Sequence, residues 1–235
     1  MVELLRKGFL GLGISYTEEM LNQFEVYYQL LVEWNEKMNL TAITEKQDVA
    51  TKHFIDCAAC LKYVDLTGTV IDVGTGAGFP GLVLKILKPE IKICLLDSLN
   101  KRIGFLDEVI SRLGLKDVVT VHSRAEDGAQ NKDYREKFDF CVSRAVANLS
   151  TLCEYCLPFV KAGGMFVSMK GPDVKEELDL ARSAIGTLGG QVEKVEIENL
   201  PDSDINHTII KIKKVRPTPT KYPRKAGKPS KEPLK

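Results

Sequence analysis

The segment Val70-Ile-Asp-Val-Gly74-Thr-Gly76-Ala-Gly78-Phe-Pro-Gly81 constrains this chain more than any other part of it. A β-branched run feeds a turn with a glycine at every second position, and a helical pattern opens directly after it. Glycines let the backbone turn tightly and let a ligand approach closely. The helix that follows offers unpaired N–H groups and a positive dipole end. Pro80 suits the first turn of that helix, where its missing N–H costs little. Two ligands fit such a loop. Gly76, Gly78 and Gly81 satisfy the GxGxxG dinucleotide fingerprint. Gly74, Gly76 and Gly78 satisfy GxGxG after an acidic strand, the usual adenosylmethionine loop. Asp72 favours the second, because a carboxylate there repels a pyrophosphate and attracts a sulfonium ion or an amino group.

The rest of the pattern fits an open α/β sheet. Short strands are predicted at TVIDVG, IKICLLD, VVTVHS, FDFCVS and MFVSMK, with helices near 80–88, 100–114, 127–134, 149–160 and 173–187. This alternation predicts a doubly wound, mostly parallel, Rossmann-like sheet covered on both faces. Two further runs, QVEKVEIENL and HTIIKIKKV, flank Pro201-Asp-Ser-Asp and predict an antiparallel pair at one edge. The first third reads as helical: Ser15 and Glu18 fit a capping box before one helix, Thr44 and Gln47 before a second. The expected organisation is an N-terminal helical extension over 1–66, a methyltransferase domain over 67–215 and a basic Pro-rich tail over 216–235.

Charge is unevenly placed. Of 33 Lys/Arg and 32 Asp/Glu, residues 211–235 hold ten of the cations and a single acid, Glu232. An acidic body with a basic tail points to a polyanionic partner, nucleic acid first. The tail has five of the ten prolines and no apolar periodicity, so it is expected to be extended or disordered when alone. The chain shows no run of about 18 apolar residues and no signal-peptide pattern, so a cytoplasmic protein is expected. Cys57–Cys60 and Cys153–Cys156 form two CxxC pairs more than ninety residues apart. Both sit in amphipathic helical patterns, which favours buried helix residues over zinc ligands, and no metal is expected.

Candidate site residues follow from the strand ends. Asp97 closes the second strand 23 residues past Gly74, where a carboxylate can take both ribose hydroxyls or simply cap the next helix. Ala125 and Glu126 follow the third strand, where they can offer a backbone N–H or a carboxylate to an adenine edge or simply form the acidic first turn of the next helix. Arg144 follows the fourth, where methyltransferases carry their chemistry. No Asn/Asp-Pro-Pro-aromatic run is present, and Cys141 lies inside an apolar strand. The target atom should therefore need neither amine desolvation nor covalent activation. Lys170 ends the fifth strand and is a candidate phosphate contact. Lys221, Arg224, Lys225 and Lys228, with Tyr222 between them, suit phosphate contacts and base stacking. His53 reads either as a packed histidine or as a site residue.

WNEKMNLT, KHFIDCA, VIDVGTGAGFPG, LLDSLNKR, SRAE, SRAVA and TPTKYPRKAGKP occur in this order along nearly the whole chain. In these segments the chain resembles the bacterial glucose-inhibited division protein B family, guanine-N7 methyltransferases of small-subunit ribosomal RNA. The resemblance implies S-adenosylmethionine as cofactor and a guanine in the decoding-region loop of 16S ribosomal RNA as target. Gly74, Thr75, Gly76, Gly78, Phe79, Asp97, Ala125, Glu126 and Arg144 are then the cofactor contacts, with Arg144 positioning cofactor and RNA. Cys57 departs from the family's pattern, standing where Ser is expected after HFxD. The small ribosomal subunit is the implied partner and a monomer the expected state. The competing readings are an RNA-binding assembly factor without catalysis and an NAD-dependent oxidoreductase on the literal GxGxxG.

Overall fold

The computed structural model describes residues 1–144, 146–201, 203 and 205–235. Its centre is a seven-stranded sheet in the order β3-β2-β1-β4-β5-β7-β6. The strands are β1 (Thr69–Val73), β2 (Lys92–Asp97), β3 (Val118–His122), β4 (Phe138–Arg144), β5 (Val160–Lys170), β6 (Gly190–Asn199) and β7 (Asn206–Lys214). The first five pair in parallel, whereas β7 runs antiparallel to both β5 and β6. The chain builds outward from β1 through β2 to β3, then returns to lay β4 on the other side of β1. That reversal opens a crevice beyond the carboxyl ends of β1 and β4. Of the edge turn predicted at Pro201-Asp-Ser-Asp, Asp202 and Asp204 lie outside the described residues, as does Ala145 in SRAVA.

Period-two alternation sorts the strand residues onto two cores. Val70, Ile93, Leu95, Val142 and Val167 face one of them, together with Leu5, Phe9, Phe24 and Tyr27 from the N-terminal helices. Ile71, Val73, Cys94, Leu96, Cys141 and Phe166 face the other. Helices α1 (Val2–Leu12), α2 (Glu18–Met38), α5 (Gly81–Leu87) and α6 (Asn100–Leu113) contribute to the first core. Helices α8 (Leu149–Cys156) and α9 (Lys175–Thr187) build the second, with Ala129 of the short α7 (Ala125–Gln130). Between α2 and β1 runs a composite helix. It comprises α3 (Lys46–Val49), a π-type stretch Ala50–Ile55, α4 (Asp56–Ala58) and a 3-10 turn Ala59–Lys62. Its Phe54 and Ala59 pack in the first core. The two CxxC pairs are divided between the two cores, and all six cysteines are free and buried.

Both predicted capping boxes shift. Thr17, not Ser15, caps α2 by accepting from Met20 N at 3.2 Å. Glu45 precedes α3 and caps it with no side-chain bond. The Tyr28 hydroxyl takes the Thr44 carbonyl at 3.2 Å, so that turn is set by α2. The helix expected over 127–134 is α7, which stops at Gln130 because the chain turns toward β4.

The largest departure is the tail. It is folded onto α7, α8 and the 131–137 loop, with Thr218, Tyr222 and Pro229 buried, and ends in the short helix α10 (Lys228–Lys231). Arg135 donates to Thr218 O at 2.9 Å and Tyr222 O at 2.8 Å. Glu136 accepts from Thr218 N at 2.7 Å, and Thr151 donates to Pro229 O at 3.0 Å. Lys214, fully buried at the end of β7, donates to Leu157 O and to Thr218 Oγ1. Burial pulls its ammonium down to about 8. A segment with no apolar period is ordered here because side chains of the body satisfy its carbonyls.

Two glycines test the helical packing in opposite directions. A Cβ on Gly8 of α1 would stand 2.3 Å from Ile55 Cδ1, so Gly8→Val overpacks this seam and is expected to cost about 1–3 kcal/mol. Gly104, exposed within α6, has nothing closer than 4.0 Å. Gly104→Ala is therefore expected to add about 0.5–1 kcal/mol through helix propensity. Urea unfolding of both variants checks the pair, and equal signs would contradict the packing described.

Candidate active site

The glycine loop is pinned from behind by two strand-end carboxylates. Asp72, fully buried in β1, accepts from Gly81 N at 2.8 Å through Oδ2 and so holds the start of α5. Burial pushes its carboxyl up to about 7, against the Thr75 hydroxyl and the Gly81 N–H, which favour the anion. Asp72 does not line the cavity in front of the loop. Its contribution is the loop's shape, not the direct contact with a cationic ligand expected from the sequence. Asp97, at the end of β2, accepts from Gly76 N at 2.9 Å, Leu99 N at 2.9 Å and Arg102 Nη1 at 3.2 Å. It therefore caps the following turn and still presents its carboxylate to the cavity.

That cavity measures about 510 Å³, within the range of small-molecule sites. Gly74, Thr75, Gly76 and Phe79 form one side of it, and Asp97, Ala125 and Glu126 another. Gly78 is not among the lining residues: a Cβ there would meet Leu82 and Tyr27, so this glycine serves packing behind the loop. Gly76, at φ +60°, has nothing within 4 Å of a built Cβ.

Arg144 closes one end of the cavity. Its Nη1 donates to Asp56 Oδ2 at 2.7 Å and Lys52 O at 2.9 Å, and Nη2 lies 2.9 Å from His53 Nδ1. The guanidinium also sits over the Phe79 ring, 5.3 Å from its centroid, a cation–π contact. Because Arg144 can only donate, Nδ1 of His53 must accept. Nε2 then carries the proton and donates to Thr41 Oγ1 at 2.9 Å. The imidazole stacks on Phe79 with centroids 4.4 Å apart. Burial and the neighbouring Arg144 charge pull His53 down to about 4, so the ring is neutral near pH 7.

Three sequence candidates fall elsewhere. Lys170 does not line the cavity. Its Nζ donates to Ala147 O and Glu177 Oε1, each at 2.6 Å, tying the loop after β4 to α9, so its charge is already matched. Arg224 clamps the fully buried Glu154 through Nε and Nη2 at 2.7–3.1 Å, and its own backbone N–H joins them. Tyr222 is buried and cannot stack on a base. Lys221, Lys225 and Lys228 are exposed. The sequence reading missed Leu40, Thr41, Tyr155, Gly227 and Ser230 in the cavity wall, and Asp56 behind Arg144. Leu40, Thr41 and Asp56 stand in WNEKMNLT and KHFIDCA, which carried the only available signal. Gly227 stands in TPTKYPRKAGKP, and nothing local marks Tyr155 or Ser230.

A doubly wound sheet with a glycine loop and a strand-end carboxylate around one cavity fits an adenosine-bearing cofactor, and the chain's matches to known proteins make it a class I S-adenosylmethionine-dependent methyltransferase. The donor set fits the cofactor: Asp97 can accept from ribose hydroxyls, and Gly76 leaves room for close approach. A SAM-dependent methyltransferase from Aquifex aeolicus shares the fold at TM-score 0.55 and 20% identity, over 75% of this chain and 97% of that one. The family model GidB, described as rRNA small subunit methyltransferase G, matches residues 20–206, and this chain belongs to that family. It is 57% identical to the ribosomal RNA small subunit methyltransferase G of Alkaliphilus oremlandii, over 99% of this chain and 98% of the relative. Identity to the protein of that name from Acetivibrio thermocellus is 54%, over 99% and 96%.

The histidine makes stability depend on pH with a definite sign. Its folded pKa lies below the unfolded value of 6.5. Its contribution is therefore complete above about pH 6.5 and is lost as pH falls toward about 4, amounting to at most about 3 kcal/mol. The stability difference between the native chain and His53→Gln should shrink by that order between pH 7 and 4.5. A difference independent of pH in urea titrations would contradict the neutral, buried assignment. Gly76→Val, which forces a branched side chain into a left-handed backbone and into the cavity, should weaken S-adenosylmethionine binding at least tenfold by calorimetry.

Proposed function

We propose that this chain transfers a methyl group from S-adenosylmethionine to N7 of a guanine in the decoding-region loop of 16S ribosomal RNA. The observation that carries the reading is the composition of the cavity. It combines a cofactor-type glycine loop and ribose-type carboxylate with a wall of His53, Thr41, Phe79 and Arg144 that offers no free general base. Membership in the rRNA small subunit methyltransferase G family supports the same substrate.

When bound, the cofactor supplies an electrophilic methyl group on a sulfonium ion. Guanine N7 has a lone pair and no proton, so no residue need remove one. The protein's task is then alignment in a confined site. Both ring nitrogens of His53 are committed, to Arg144 and to Thr41, so the imidazole orients its neighbours. Arg144 is fixed by Asp56 and the Lys52 carbonyl and acts as a positioning residue. The Asp56 carboxylate also offsets the guanidinium charge, which matters because N7-methylguanine is cationic and an unpaired arginine would oppose it. Gly74, Thr75, Gly76, Phe79, Asp97, Ala125 and Glu126 are the proposed cofactor contacts.

Lys221, Lys225 and Lys228 are the proposed phosphate contacts among the tail cations. A monomer acting in the cytoplasm on the small ribosomal subunit or its RNA completes the reading. Among the described residues no helix is long and apolar enough to cross a membrane.

Labelled S-adenosylmethionine incubated with unmethylated small-subunit RNA and with subunits, followed by nucleoside analysis, tests the proposal. Labelled N7-methylguanosine is expected. Label in a different nucleoside, or none despite cofactor binding, would overturn it. Replacing Lys221 and Lys225 by Ala should lower the slope of log affinity against log salt by about 0.7–0.9 per lost phosphate contact, with cofactor affinity unchanged.

A further inference from the structure

The tail carries a function that its charge does not announce. Gly227 and Ser230 line the same cavity as Gly74, Asp97 and Glu126, although Gly227 and Glu126 stand 101 residues apart in the chain. Gly227 takes a left-handed backbone, φ +79°, and donates its N–H to Glu126 Oε1 at 2.8 Å. A Cβ built there meets nothing within 4 Å. Tyr155 of α8 lines the cavity beside them. Arg224, three residues before Gly227, latches this turn to the body through its bidentate pair with Glu154, and Pro229 O is held by Thr151.

We infer that the Gly227–Ser230 turn is a wall of the S-adenosylmethionine site at its Glu126 end, so that cofactor binding and docking of the C-terminal strap stabilise each other. The inference rests on the cofactor assignment made above. It extends the division of labour implied by sequence, in which the tail serves RNA alone: the strap then serves the cofactor as well. If the cofactor binds well only to the docked strap, its apparent dissociation constant rises in inverse proportion to the docked fraction. Linkage then requires the cofactor to protect the strap in return.

The variant Arg224→Asp places a second carboxylate against Glu154 and favours the undocked strap, in which water can reach both. In the full chain, calorimetric affinity for S-adenosylhomocysteine should fall at least tenfold, while exposed Lys116→Asp leaves it within twofold. In the unmodified chain, S-adenosylhomocysteine should slow amide exchange across 224–231 at least fivefold, a readout that needs no variant to fold. Unchanged exchange there, or Arg224→Asp affinity within twofold of the parent while its strap exchanges freely, overturns the inference and leaves the methyltransferase reading intact. Failure of the unmodified chain to bind the cofactor at all overturns both.

Discussion

Asp72 and Asp97 hold the backbone on which everything else depends. One carboxylate fixes Gly81 N at the start of α5 and the other fixes Gly76 N in the middle of the loop. A loop of alternating glycines has high conformational entropy when free. Anchoring it at two points to adjacent parallel strands turns a flexible segment into a rigid edge, because β1 and β2 are themselves in fixed register, with Asp72 paired to Leu95 and Val73 to Leu96. The cavity is the space in front of that edge.

A second rigid unit packs against Phe79 of the loop. Arg144 reaches from the end of β4 into the π-type stretch, where the backbone carbonyl of Lys52 is open to it. Short π-type segments free carbonyl groups from helical pairing and recur at functional sites. Asp56, His53 and Thr41 complete a chain of contacts from the core to the rim. A charged group held this way cannot swing toward solvent, which suits alignment of reactants better than proton transfer.

Much of the fold was legible from short-range pattern. The parallel strands, the helices between them and the antiparallel edge pair follow from alternation and β-branched runs, which are properties of each segment's own residues. Helix caps were less legible: the sequence reading placed the cap of α2 at Ser15, and the structure uses Thr17. Arg224 and Lys170 were misplaced for one reason. A cation in sequence carries no sign of the carboxylate that will meet it, and Glu154 and Glu177 lie 70 and 7 residues away respectively. The order of the tail was hidden similarly, because its partners are carbonyl-seeking side chains such as Arg135 rather than apolar residues of its own.

The sequence by itself determined the sheet, the glycine loop with Asp97, the absence of a covalent-nucleophile pattern and, through its ordered motifs, the family. These are local or nearly local properties, written in residue type and spacing. Tertiary structure alone decided which cations are exposed, which acid neutralises Arg144, that His53 is a neutral bridge, and that Gly227 and Ser230 meet the cavity lined by Gly74. Each of those depends on burial and on contacts between distant segments, and burial sets both the cost of a charge and the partner it must find.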